Sequence, residues 1–281
     1  MSNNWKISWA ILGISFLGLS ACKKDKEEID KDTTSAVEYA MADAAFSDVQ
    51  SISDEAYDGS IDTYRSGSGE KVYTTCATVT FDTLTSPKSL TIGFGTTDCL
   101  CGDGNYRRGN IIVTWTGPYR DSGSVRTITF DNYFVNFNQL LGTKTVTNNG
   151  RNTNGNLSYS ISVNGSIVWD PQYFGGGGTG TYTSSRTREW IAGENTLTWL
   201  DDVYLISGTA SGTTHLGNSY SMATTEALKK EIGFRHFTDG VLEFTPAGKY
   251  TRSIDYGYVS GGRDALAQVT INGYTFNIQL K

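Results

Sequence analysis

Cys22, Cys76, Cys99 and Cys101 carry the most specific chemistry in this chain, and their spacing separates one cysteine from the other three. Cys99 and Cys101 are two residues apart, so in a strand they point to the same side without good geometry for bonding each other. Cys76 paired with one of them is the expected bridge, which leaves one thiol free. The competing chemistry is a three-thiolate metal site, with a fourth ligand from Asp98, Asp103 or a distant histidine. No second cysteine pair stands at ribbon spacing, so the reading is a disulfide, with neither metal nor cofactor.

His215 and His236 are the only histidines, too few for a multi-histidine metal centre, and each reads as a solvated turn or strand residue. Ser211 and Ser219 lie near His215, but no G-x-S-x-G elbow surrounds them and nothing in the sequence orients the imidazole. Glu189, Glu194, Asp201 and Asp202 offer carboxylates for a glycoside hydrolase pair. In a turn-rich chain such groups more simply cap turns and keep the surface soluble. No catalytic residue is assigned.

Cys22 ends the segment Leu19-Ser20-Ala21-Cys22, which follows Lys6 and an apolar run over residues 7–19. A positive start, an apolar stretch too short to span a bilayer and two small residues are the marks of a secretory signal peptide. The four residues resemble the lipobox of bacterial lipoprotein precursors, in which the cysteine thiol is acylated and the chain is cut just before it. Residues 1–21 are thus read as a signal peptide and Cys22 as the lipidation site. The acyl chains of such a cysteine supply the more than one lipid that stable anchoring needs. Residues 22–34 form a charged tether, because Lys23, Lys24, Asp25, Lys26, Glu27 and Glu28 leave no apolar surface to bury. Ten such residues extend to at most about 35 Å. The acidic stretch behind the cysteine also resembles the surface-export signal of Bacteroidota lipoproteins, so the expected address is the outer membrane, facing either the cell surface or the periplasm.

Cleavage leaves about 260 residues, enough for one large β domain. With Lys6 gone, 22 basic residues face 29 acidic ones. That balance argues against nucleic acid, where a basic patch must displace counterions, and against electrostatic docking on anionic lipid.

The elements that must position these groups are one helix and many strands. Residues 35–57 read as an amphipathic helix, with Ser35 and Glu38 in capping-box spacing and Val37, Met41, Ala44, Ala45, Val49, Ile52 and Ala56 as its apolar stripe. Residues 71–281 alternate apolar and polar, broken by Asp103-Gly104, Asn149-Gly150, Asn154-Gly155, Asn164-Gly165, Asp239-Gly240 and Asn272-Gly273. Only residues 226–237 also fit a short helix. Val125 to Phe130, Ser185 to Trp190 and Thr251 to Tyr256 read as three versions of one strand, each carrying an arginine: Arg126, Arg186 and Arg252. A group that recurs once per repeat is more simply a packing device, its stem on apolar surface and its guanidinium at the rim. The expected fold is all-β: a long antiparallel meander, whether curved sheet, sandwich or barrel, with one N-terminal amphipathic helix.

The most distinctive loop spans residues 169–180, where Trp169, Tyr173 and Phe174 precede a glycine run. Its aromatics suit stacking on a sugar, and the competing reading folds them back on the core. Asp32-Thr33-Thr34 and Asp82-Thr83-Leu84 resemble short O-glycosylation acceptors of the same bacteria.

The lipobox, the tether, the helix running into Ser51-Ile52-Ser53-Asp54-Glu55-Ala56, the Cys99 and Cys101 turn, Arg126-Thr127 with Phe130-Asp131-Asn132-Tyr133, and Gly142-Thr143-Lys144-Thr145-Val146-Thr147-Asn148 together resemble an uncharacterised family of Bacteroidota all-β lipoproteins. The resemblance implies the address and the fold and brings no activity with it. The expected function is non-catalytic: a membrane-anchored protein that binds or presents an extracellular ligand, with glycan as the leading class. The alternatives are an assembly role through β-strand edges with a protein partner, and a glycoside hydrolase.

Overall fold

The computed structural model describes residues 34–58, 73–174, 176–196, 201–232, 234, 236–258 and 265–280. Cys22, the tether up to residue 33 and the O-glycosylation match at Asp32 and Thr33 lie outside these residues. The described chain forms one helix, α1 (Thr34–Asp58), a single helical turn, α2 (Pro171–Phe174), and one antiparallel sheet of fourteen strands. These are β1 (Thr78–Asp82), β2 (Lys88–Gly93), β3 (Cys99–Leu100), β4 (Tyr106–Trp115), β5 (Val125–Val135), β6 (Asn138–Arg151) and β7 (Leu157–Trp169). They continue through β8 (Gly178–Ala192), β9 (Val203–Thr213), β10 (Ser219–Glu231), β11 (Asp239–Pro246), β12 (Arg252–Asp255), β13 (Leu266–Ile271) and β14 (Tyr274–Gln279). Each strand pairs with its neighbour in sequence, except that β3 is a short branch on β4 and β2 pairs with β4 directly.

The meander is therefore present, and it is an open sheet rather than a barrel, with β1 and β14 at its ends. It is also strongly curled. α1 touches β2, β8 and β11. Along a flat sheet β2 and β11 would stand roughly 38 Å apart at about 4.8 Å per strand. A 25-residue helix is about as long as that span, and the curl shows instead in burial. Among the described side chains of α1 only Thr34, Val37, Ala40, Ala44 and Ser47 are exposed, one narrow stripe, and the rest of its circumference is covered.

Period-two alternation sorts the strand residues into that inside and an outside. One inward row runs Ile128, Lys144, Val163, Ser184, Ala210, Met222 and Phe244 in register across seven strands, all buried. The neighbouring outward row is Thr114, Thr127, Thr145, Ser162, Ser185 and Thr209. Small hydroxyl residues suit this outer face because they are β-formers or neutral and need no burial.

The helix presents Tyr39, Ala42, Phe46, Val49, Ile52 and Ala56 to the core. This stripe is rotated from the one expected, since Val37 and Ala44 are exposed while Tyr39, Ala42 and Phe46 are buried. Counting only aliphatic spacing misses that a curled sheet takes up large aromatics from more than one direction. The capping box is also not what Glu38 serves, because its carboxylate turns to His215.

Three of the six turn dipeptides lie between strands as expected: Asp103-Gly104, Asn154-Gly155 and Asn272-Gly273. Asn164-Gly165 instead lies inside β7. A Cβ on Gly165 would stand 2.4 Å from the Phe46 ring and 2.8 Å from the Leu141 carbonyl oxygen. That glycine is a place where helix and sheet approach each other closely, not a turn. The segment that also fitted a helix is strand through Glu231.

Candidate functional site

The recurring arginines resolve first. Arg126, Arg186 and Arg252 are all buried and on the inner side, so their guanidinium groups are not at a rim. Arg126 and Arg186 share one cross-strand row with Val146 and Ile161, and Arg252 lies in the adjacent row, opposite Phe244. Arg186 Nη2 lies 2.6 Å from Asp43 Oδ1 and donates to Tyr39 Oη at 3.0 Å, while Tyr182 Oη donates to the same Asp43 oxygen at 2.5 Å. Arg126 Nη1 donates to Asp54 Oδ1 at 2.7 Å. Between them, Lys144 Nζ donates to the Phe46 carbonyl at 2.9 Å. Arg252 Nη1 donates to the Tyr250 carbonyl at 2.5 Å. Two arginines and one lysine of the sheet thus clasp helix carboxylates and one helix carbonyl. Burial pushes the Lys144 amine down to about 8, against the pull of Asp54 and Asp43. Burial likewise pushes Tyr39 and Tyr182 well above the usual phenol range, with the Asp43 charge adding to it. This cluster is closed by α1 and holds the fold.

His215 is part of the same closure and not a solvated residue. Its Nδ1 lies 2.8 Å from Glu38 Oε2 and its backbone N–H donates to Glu38 Oε1 at 2.6 Å, with both side chains buried. The imidazole nitrogen that the sequence left without an orienting group is held by the helix, not by Ser211 or Ser219. Glu189 accepts from the Asn156 amide at 2.8 Å, Glu194 pairs with Arg151 at 2.6 Å, Asp201 accepts from Thr196 at 2.8 Å and Asp202 from Tyr204 at 2.9 Å. Each of these carboxylates is engaged by its own local partner rather than by another carboxylate across a cleft.

Trp169 is 4 % exposed and belongs to the core, so its ring is enclosed rather than offered to a ligand. Its Nε1 would stand 3.0 Å from a Cβ at Gly180, beside Glu38. The side chains of Tyr173 and Phe174 lie outside what the structure describes.

An exposed aromatic pair stands at the next hairpin instead. β5 and β6 are joined by Asn136 and Phe137 alone, both at positive φ (47° and 67°). This is the backbone of a type I′ turn, which normally takes Asn-Gly. A phenylalanine in the left-handed region is a genuine outlier, and its strain marks a candidate functional position. The ring of Phe137 is 45 % exposed and stacks on Tyr106, 40 % exposed, with centroids 6.0 Å apart and planes 25° from parallel. Leu100 pairs with Tyr106 in register and is also exposed. Two residues along β4 from Tyr106, on the same face, Arg108 lies over the Phe134 ring at 3.6 Å and donates to Asp98 at 2.7 Å. The row continues through Phe134, Gln139, Val168 and Thr179 to the hairpin of residues 169–180, so that loop borders the platform. The turn is held by Asn136, whose Oδ1 accepts from the Tyr106 N–H at 3.0 Å and whose Nδ2 donates to Asn105 Oδ1 at 2.7 Å. Sequence reading missed this pair because the turn contains no glycine or proline. The one available signal was two residues, Asn136 and Phe137, between two alternating runs.

A second surface feature is an open trough of about 510 Å³ on the outer face of β8 to β11. Thr183, Ser185, Thr209, Ser211, Ser221 and Glu243 line it.

The three distal cysteines come together. Cys76 and Cys99 stand at disulfide distance and form a bridge, with Cα atoms 6.5 Å apart, and Cys101 is free and buried. Asp98 and Asp103, the proposed fourth ligands, instead pair with Arg108 at 2.7 Å and Arg107 at 2.6 Å.

Comparison with family models, with curated proteins and with solved structures finds no match to this chain.

Proposed function

We propose that this protein is a membrane-anchored, non-catalytic lipoprotein that binds an extracellular glycan at the Tyr106–Phe137 platform. The anchor is Cys22, by the motif that precedes it, and the address is the outer membrane. The observation that carries the ligand reading is an exposed stacked aromatic pair whose second ring is held out by a strained backbone. Pyranose rings present a flat C–H face to such rings, and their hydroxyls find Asp98 and Arg108 one row behind. Stacking of one aromatic contributes on the order of 1 kcal/mol beyond its burial.

The test uses one variant that separates function from folding. Phe137→Gly removes the ring while giving the turn the residue its φ favours, so the domain should stay folded with stability changed by no more than about 1 kcal/mol. Affinity for glycans that score on an array with the parent protein should fall at least about tenfold. An array without hits for the parent, or unchanged affinity in the variant, overturns the reading. For the anchor, Cys22→Ala should leave the protein out of the membrane fraction, and persistence in that fraction overturns the address.

An assembly role keeps one observation of its own: β1 and β14 are the two ends of an open sheet, and each can add a strand from a partner.

A further inference from the structure

Cys76, Cys99 and Cys101 have their sulfur atoms all within 4.8 Å of one another. Cys76 is exposed, Cys99 half-buried and Cys101 buried. While Cys76 is bridged to Cys99, the remaining thiol is the hidden one. Its Sγ lies only 3.5 Å from Cys76 Sγ, the shared sulfur of the bridge.

The surroundings hold this arrangement in place. Cys76 sits in a turn, where the Ala77 N–H donates to the Thr74 carbonyl at 3.1 Å. Glu55 of α1 pins that turn, accepting from the Thr74 N–H at 2.8 Å, the Thr74 hydroxyl at 2.6 Å and the Tyr73 N–H at 3.0 Å. Thr75 Oγ1 accepts from the Gly102 N–H at 3.1 Å and ties the turn to the residue after Cys101. Arg107, fully buried and held bidentately by Asp103, is the register partner of Cys99, and the Cys101 N–H donates to the Asn105 carbonyl at 2.9 Å. Cys101 therefore faces Cys76 from a fixed position. Closing 3.5 Å to a bond of about 2.05 Å takes a movement of about 1.5 Å, within reach of side-chain rotation.

We infer that Cys99 is a latent modification site, exposed by exchange of the bridge from Cys76–Cys99 to Cys76–Cys101. Cys101 gives up its proton to solvent and its thiolate attacks Cys76 Sγ. The Cys76–Cys101 bond forms, the Cys76–Cys99 bond breaks, and the electron pair stays on Cys99 Sγ, which takes up a proton or reacts as the thiolate. One disulfide and one thiol are present before and after, so no oxidant or reductant is consumed. The exchange carries the free thiol from the interior to the half-buried Cys99. There it can attack a small-molecule disulfide, forming a mixed disulfide and releasing the other half as a thiolate. The chemical class it takes is thus a small disulfide or a soft alkylating agent. The inference is independent of any glycan binding.

The experiment is alkylation of the folded protein, prepared without reductant, using iodoacetamide. It is followed by an acid quench and peptide mapping with fragmentation between residues 99 and 101. The expected result is label on Cys99 together with a Cys76–Cys101 bridge, and labelling of Cys99 at least ten times slower in Cys101→Ser. Cys99→Ser should contain a Cys76–Cys101 bridge and no label at either of these two cysteines, which tests the second pairing without depending on rates. Label confined to Cys101 with the Cys76–Cys99 bridge intact overturns the inference, as does a protein that takes no label. So do three free thiols in the parent, or Cys76 and Cys101 both free in Cys99→Ser.

Discussion

Two of the regions in which aromatic rings and arginines meet serve opposite ends. At one side of the sheet Tyr57, Arg126, Tyr119, Tyr159, Arg188, Tyr204, Trp190 and Arg120 form a continuous series of rings and guanidinium groups. Its steps measure 4.2–5.6 Å between guanidinium carbon and ring centroid or between centroids. None of these residues is exposed. At the β5–β6 hairpin, Tyr106 and Phe137 form an isolated pair facing outward, with the Arg108–Phe134 stack beside it. The difference lies in backbone and enclosure, not in residue type. Strands in regular register bring the first group under α1 and the β4–β5 connection, whereas a strained two-residue turn holds the second group away from the core. Aromatic content alone thus says little about binding. The conformation that presents each ring says more.

The sharpest way to break the comparison is to remove a carboxylate that faces the inner row which Arg126 of the first group shares with Arg186. Asp43→Ala leaves Arg186 buried without its carboxylate, a change that costs about 3–5 kcal/mol. Urea unfolding should show it as a large drop in midpoint. A loss below about 1 kcal/mol would mean that the clasp contributes no more than a surface pair.

The next effect is pH-dependent. The Lys144 amine is depressed in the folded protein to about 8, below the value near 10.5 of the unfolded chain. Between those values the unfolded state binds more protons, so stability should rise with pH from about 8. The gain is bounded at about 3 kcal/mol by the size of that shift. The buried tyrosines have the opposite sign. Their folded values are raised above 10, so stability should fall once the unfolded phenols ionise above about pH 10. Stability measured in urea should therefore climb from pH 7.5 to about 9.5 and turn down beyond it. In Lys144→Met the climb should shrink to the part supplied by Lys230, whose amine burial also pushes down, while the downturn persists. A climb of equal size in that variant would assign it to other groups.

Tyr106→Ala sharpens the comparison from the outer side. Its ring is nearly half exposed, so unfolding stability should change by about 1 kcal/mol or less, while any glycan affinity falls about tenfold. A loss near that of Asp43→Ala would place the pair with the structural group.

The smallest effect is expected on the outer row. Thr145→Ala or Thr209→Ala should stay within about 0.5 kcal/mol, measured in the same unfolding series. A larger cost would show that something covers the outer face.

Much of the fold was legible without coordinates, because alternation with period two and turn dipeptides are local properties. The meander and the helix over residues 35–57 came from such local signals, and the participation of Cys76 in a bridge from the spacing that keeps Cys99 and Cys101 from bonding each other. Asn164-Gly165 misled for the same reason. A dipeptide that favours a turn is also what a strand needs where Phe46 presses on it, and only the approach of α1 distinguishes the two. His215 read as solvated since its partner, Glu38, is 177 residues away. Trp169 read as one of three aromatics in a ligand loop, yet its strand face turns it toward the core.

By itself the sequence determined the class of fold, the antiparallel order of the strands and the long helix, since each depends on neighbours within a few residues. Only the tertiary structure decided that the sheet is open, that it curls around α1, that Arg126 and Arg186 face helix carboxylates, and which aromatics meet water. Those depend on the angle by which each strand turns from the next. That angle is small per strand, and only its sum across the whole sheet decides which distant residues touch.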